Sequence, residues 1–169
     1  MIRIERLELS NFKSFRDVTI DFHDVNVIVG ANASGKSNLL SVFQFLEDIH
    51  KYDLTEAINK QGGKDHLKNF KADDNHVIIQ LHFNDGSQKA IGDTGFSRKY
   101  KKIIYRLCLW IEEDFWSLSE ESFTIETEIW KGKEKILELP EFELSKVLEE
   151  ISIQFPIENI ANDLSDFPI

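Results

Sequence analysis

The 169-residue chain has little of what staples, kinks or anchors a polypeptide: one cysteine, three prolines and one methionine. A single thiol excludes any disulfide within the chain, and Cys108 lies inside an apolar run, where a free cysteine packs as a small hydrophobe. No apolar run approaches the ~18 residues that span a bilayer. The amino terminus, Met1-Ile-Arg-Ile-Glu-Arg-Leu-Glu-Leu9, alternates charged and apolar side chains and so lacks the apolar segment of a secretory leader. No membrane partner is expected, and the expected compartment is cytoplasmic. Basic charge is scarce as well: 20 Lys and Arg against 30 Asp and Glu leave a net charge of −10 at neutral pH. That balance does not support DNA as a partner unless a local patch supplies the contact. The five histidines, at 23, 50, 66, 76 and 82, show no metal-ligand spacing and have no cysteine companions.

What the chain does hold is a hydrophobic content of 41% with thirteen phenylalanines, enough to fill one core. The size fits one domain or part of a larger one.

One stretch organises the rest. Gly30-Ala-Asn-Ala-Ser-Gly-Lys-Ser37 satisfies the phosphate-binding P-loop pattern of Gly, four residues, Gly, Lys and Ser or Thr. The β-branched run Asp24–Val29 before it predicts a strand. The apolar positions Leu39, Leu40, Val42, Phe43, Leu46 and Ile49 after it predict one broad face of a helix over Lys36–His50. In this strand–loop–helix, Gly30 and Gly35 let the backbone bend close to a polyphosphate, so that successive N–H groups and the positive end of the helix point at one anion. Lys36 would reach the β- and γ-phosphates, and Ser37 would place its hydroxyl on Mg²⁺.

Around this unit the patterning is mixed. Residues 2–9 and 18–22 alternate as a hairpin-like pair of strands, and Leu54–Lys60 reads as a short helix broken by Gln61-Gly-Gly63, followed by a charged connector over Lys64–Phe70. From His76 the period becomes two, and His76–Phe83, Lys101–Ile111, Ser122–Trp130 and Glu134–Leu139 predict an antiparallel meander, with residues 88–99 as a loop. Past Pro140, Glu141–Glu150 has helical spacing and Ile151–Phe155 reads as a strand. The fold class expected is α/β, with a P-loop core over 1–60, a β-meander subdomain over 76–139, and a helix and strand over 141–155 returning to the core.

Guanine recognition is disfavoured, because the nearest string to Asn-Lys-x-Asp is Asn59-Lys-Gln-Gly62. Leu9-Ser-Asn-Phe-Lys-Ser-Phe15, a short strand, and then Gly-x-Asn-x-Ser-Gly-Lys-Ser-Asn-Leu resemble the opening of the ABC-type ATPase heads of the SMC, Rad50 and RecF group, and above all the AAA15/OLD-like ATPases of bacterial defence and repair systems. The resemblance is strong over residues 1–46 and looser through Gln61-Gly-Gly63 and the meander. It implies that Gly30, Ala31, Asn32, Ala33, Ser34, Gly35, Lys36, Ser37 and Asn38 form the Walker A loop, with Asn32 near the γ-phosphate. Lys13, at the basic position of the Asn-Phe-Lys motif, is implied as a nucleotide-adjacent contact, with an ordinary turn lysine as the other reading. Phe12 and Phe15 are expected in the core.

The same resemblance implies ATP and Mg²⁺ as cofactors, hydrolysis at a homodimer interface, and a nuclease or other effector gated in repair or anti-phage defence. It also implies a signature Ser-Gly element, a Walker B Asp-Glu and a late His, none of which is evident here, so the chain is expected to be the amino-terminal part of one ATPase head domain, inactive alone. Two further candidates stay open. Leu107-Cys-Leu-Trp-Ile-Glu-Glu-Asp114 has the form of a Walker B strand, which would make Glu112 and Glu113 catalytic, though an acidic turn after a strand is commonplace. Gln154 falls roughly where such ATPases carry a Q-loop, and a solvent-facing strand glutamine is the alternative. The contrasting functional reading is a non-hydrolysing module in which bound nucleotide only holds an assembly together.

Overall fold

A computed structural model describes residues 3–32, 34–84, 88–91 and 93–145. Strands β1 (Arg3–Ser10) and β2 (Asp17–Asp21) form the predicted antiparallel pair, with Leu7 opposite Ile20 and Leu9 opposite Val18. Helices α1 (Lys36–Lys51), α2 (Leu54–Lys60) and α3 (Lys64–Leu67) follow. Four more strands run antiparallel through β3 (His76–Asn84), β5 (Phe96–Ile111), β6 (Trp116–Lys131) and β7 (Glu134–Ser145), with the short β4 (Gln88–Ala90) pairing with β5. The sheet order is β2-β1-β3-β5-β6-β7, so the amino-terminal hairpin and the meander share one seven-stranded sheet, joined where β1 pairs with β3.

Strict alternation places Val77, Ile79, Leu81 and Phe83 of β3 on one face. Leu7 and Leu9 of β1, Ile103, Leu107, Leu109 and Ile111 of β5, and α1 through Leu39, Val42 and Phe45 complete the same core, which Ala57, Ile58 and Leu67 close. Phe12 is fully buried with its ring 6.1 Å from that of Phe45, Phe15 packs on the margin, and Cys108 is buried, all as expected. The buried line of α1 runs through Leu39, Val42, Phe45 and Asp48, and the expected face is rotated: Leu40 is 64% exposed, while Phe43, Leu46 and Ile49 flank the core. Asp48 is tolerated inside because the Lys60 ammonium donates to it at 3.0 Å.

Four expectations are corrected. Residues 25–29 form no strand: no neighbouring strand offers them a ladder among the described residues, and Val25, Val27 and Val29 stand 81%, 80% and 84% exposed. The expected loop over 88–99 is largely strand, because Gly95 at φ 74° turns the chain and Gln88–Ala90 pairs with Ser97–Lys99. The expected connector over 64–70 contains the one-turn helix α3. The helix predicted to begin at Glu141 is strand through Ser145, since the free edge of β6 pairs with it, Phe142 opposite Ile125 and Leu144 opposite Phe123. Pro140 does not stop β7 because it falls in the register shift between Ile125 and Thr127, where no ladder N–H is required. The strand expected at 151–155 lies outside the described residues.

Candidate functional site

Gly30, Ala31, Asn32 and Ser34 are exposed, and Gly35 leads straight into α1. Gly35 is the N-cap of that helix at φ 94°, ψ 2°, a left-handed conformation that glycine adopts without penalty. A Cβ at Gly35 would stand 2.9 Å from Ser14 Oγ and 3.7 Å from the Phe15 ring, so the turn also closes tightly on the Asn11–Phe15 segment. No side chain caps α1 and its first turn holds no acid, which leaves the leading N–H groups and the positive end of the helix dipole pointing outward. The Lys36 ammonium folds back and donates to the carbonyls of Gly30 at 2.8 Å and Ala31 at 2.6 Å. The Ser37 hydroxyl, one residue on, makes no hydrogen bond with another described residue.

The upstream motif is brought to this loop by side-chain contact. Asn38 Nδ2 donates to Ser14 Oγ at 2.8 Å, tying the first turn of α1 to the segment after β1. Asn11 and Lys13 both have positive φ, 56° and 49°, and the turn is locked by Asn11 N–H to the Arg16 carbonyl at 2.9 Å and Lys13 N–H to the Leu67 carbonyl at 2.6 Å. Asn11 Nδ2 also donates to the His76 carbonyl at 2.9 Å, pinning the turn to β3. Lys13 donates to Gln61 Oε1 at 2.7 Å. Its ammonium has no acidic partner among the described residues, and burial pulls its pKa below the usual lysine range.

The residues present fit a polyphosphate: the loop offers N–H groups, a lysine and a close backbone, with no carboxylate bonded to it among the described residues. For Mg²⁺ the loop offers one ligand, the Ser37 hydroxyl, the usual pattern for an ion held mainly by phosphate oxygens and water. Among the described residues no cluster of three or more His, Cys, Asp or Glu could hold a metal by itself.

The other candidates lie elsewhere. Glu112 and Glu113 sit on the turn between β5 and β6, two strands away from β1 in the sheet, where the Lys64 ammonium donates to their main-chain carbonyls at 2.9 and 2.5 Å. Glu112 Oε1 accepts from the Trp110 indole at 2.9 Å, and neither side chain bonds to residues 30–38. Ala33 and Gln154 lie outside the described residues, and Asn32 is an exposed turn residue. Sequence reasoning missed Ser14 and Gln61. Ser14 lies within the Asn-Phe-Lys-Ser-Phe motif, and Gln61 opens the Gln-Gly-Gly break, so both signals were in view without a partner.

A family model described as the AAA ATPase domain, AAA_15, matches residues 2–167. Curated relatives include the DNA replication and repair protein RecF of Staphylococcus epidermidis, 30% identical over 87 residues, and that of Lactococcus lactis subsp. cremoris, 39% identical over 46 residues. The first match covers 51% of this chain and 22% of the relative, the second 27% and 13%, so the chain spans under a quarter of the length of either. A solved structure from work on ATP-driven dimerization and DNA-stimulated activation of SMC ATPases is similar with a TM-score of 0.44 at 22% identity, over 79% of this chain and 72% of that one. No helix of the described residues is long and apolar enough to cross a membrane.

Proposed function

The chain belongs to the AAA ATPase domain family, and from that premise we propose that Gly30–Asn38 binds the polyphosphate of ATP as one half of a composite hydrolytic site, completed by polypeptide outside the described residues. The observation that carries this reading is the loop itself: a left-handed Gly35, an uncapped sixteen-residue helix behind it, and a lysine resting on the loop's own carbonyls.

The α1 N–H groups and the helix dipole receive the phosphate oxygens. Lys36 exchanges the Gly30 and Ala31 carbonyls for the β- and γ-phosphates, trading neutral acceptors for charged ones. Asn32, an exposed turn residue of the loop, is assigned to the γ-phosphate, and Lys13 is assigned as a second cation. Mg²⁺, when bound, neutralises charge on the phosphate oxygens, and Ser37 holds it through its hydroxyl. Glu112 and Glu113 lie on the β5–β6 turn, tied to Lys64 through their main-chain carbonyls, so water activation falls to residues that the completing polypeptide supplies.

The exposed Val25–Val29 run supports the composite reading, because a β-branched segment next to the phosphate loop has no strand to pair with among the described residues. A second copy of the protein closes the site, and the assembled head gates a DNA-repair effector, a role that the RecF relatives support.

The test is ATP binding and turnover by the intact protein and by its Lys36→Ala variant. Loss of roughly ten- to a hundredfold in affinity on substitution is expected for a charge-assisted contact of this kind. Undiminished affinity in the variant would overturn the site. Binding with no turnover by the intact protein would leave the non-hydrolysing assembly module as the better account.

A further inference from the structure

Lys13 is an unusual cation for its surroundings. It lies half-buried at a positive φ, next in the chain to Ser14, which accepts from Asn38 in the first turn of the uncapped α1, and the only side chain it bonds to among the described residues is the neutral carboxamide of Gln61. In a chain with ten more acids than bases, no acid among the described residues has been brought to it. A carboxylate in that place would hold the ammonium too firmly and repel an incoming polyanion. A carboxamide holds it in place and lets go.

Gln61 is also well placed to report the release. It caps α2, its N–H donating to the carbonyls of Ala57 and Ile58 at 3.2 and 3.1 Å, and it is followed by Gly62 and Gly63, both at positive φ, 94° and 92°. Beyond this double glycine lies α3, whose Lys64 holds the β5–β6 turn through the carbonyls of Glu112 and Glu113. A continuous set of contacts therefore runs from Lys13 through Gln61 and α3 to the tip of the longest hairpin in the sheet.

We propose that Gln61 is the resting partner of Lys13 and a positioning residue for the nucleotide site: the polyphosphate draws Lys13 away from the carboxamide, and the freed Gln61-Gly62-Gly63 segment passes the change to α3 and the β5–β6 turn. This rests on the P-loop reading above.

The experiment titrates the intact protein with a fluorescent ATP analogue and follows amide hydrogen exchange over residues 61–67 with and without ATP. Gln61→Glu, which gives Lys13 a charged partner and sets a negative charge beside the phosphates, is expected to weaken binding about tenfold. Gln61→Ala, which removes the competitor, is expected to tighten it by about two- to fivefold. On a Lys13→Ala background the benefit of Gln61→Ala disappears, and ATP no longer speeds exchange over 61–67. Gln61 variants that bind like the parent, or that act equally with and without Lys13, would overturn the proposal while the Lys36→Ala result still upheld the P-loop. A parent protein that binds no nucleotide would overturn both.

Discussion

The two sides of α1 use the same kinds of residue to opposite ends. Toward the sheet, Leu39, Val42 and Phe45 lie on Leu7, Leu9 and the alternate residues of β3, all nearly inaccessible to water. Near its amino-terminal end, Leu40 and, before the loop, Val25, Val27, Ile28 and Val29 are as apolar and yet stand open to solvent. Composition cannot distinguish these two regions; partnership does. The sheet side is finished by contacts within the chain, whereas the loop side presents a strand sequence with no strand to pair with, and a helix end with no side-chain cap, among the described residues. The buried face of α1 serves stability, and the candidate site lies at its amino-terminal end.

That contrast can be broken at several points. The largest effect is expected from Phe45→Ala, which empties a fully buried site between α1 and Phe12 and should cost about 3–5 kcal/mol, read as a lowered urea midpoint. A loss below ~1 kcal/mol would mean that the α1–sheet packing is far looser than described. Gly35→Ala comes next: it forces a side chain into the left-handed region and a Cβ to within 2.9 Å of Ser14 Oγ, for about 1–2 kcal/mol together with weakened ATP binding. Unchanged binding in that variant would separate the turn from the site.

A smaller change, about 0.5–1.5 kcal/mol, is expected for Tyr105→Phe, which removes the hydroxyl that donates to Glu121 at 2.9 Å. Burial, followed by the nearby Glu121 charge, raises the Tyr105 pKa well above the usual tyrosine value. The stabilisation is therefore fully present below the unfolded-state value near 10 and is lost as pH rises through the folded one. Thermal unfolding scanned from pH 9 upward should fall more steeply in the parent than in the variant, and equal slopes would contradict that sign. The smallest effect is assigned to Val27→Asp, within about 0.5 kcal/mol for the described unit, because the position is 80% exposed. A large loss there would show that the run is already packed, and the asymmetry of α1 would vanish.

What could be read from the residues divides along the same line. The loop and α1 were legible because their pattern is local, and α2 likewise, where Asp53 accepts the Glu56 N–H at 2.7 Å, as a capping residue should. The alternation of β3 declared its buried face. Pairing was not legible: β4 gains its structure from Ser97–Lys99, and residues 141–145 follow the edge of β6 although their spacing suits a helix. The rotation of the α1 face, with Phe45 inside and Leu40 outside, depends on which neighbours exist and not on the periodicity alone. In the site, Lys13 was visible from its motif but its partner was not, because Gln61 is 48 residues further along the chain.

The open run Val25-Asn-Val-Ile-Val29 also bears on how long the protein survives before it finds its partners. Four β-branched residues among five without a charge, exposed next to a glycine, form a template for pairing with any other extended chain and a target for the chaperones and proteases that sort incomplete proteins. An unassembled copy would be short-lived or prone to aggregate, and cellular abundance would then track assembly more closely than it tracks the folding free energy of the sheet. The segment that adjoins the candidate phosphate loop would thus also limit the number of solitary copies.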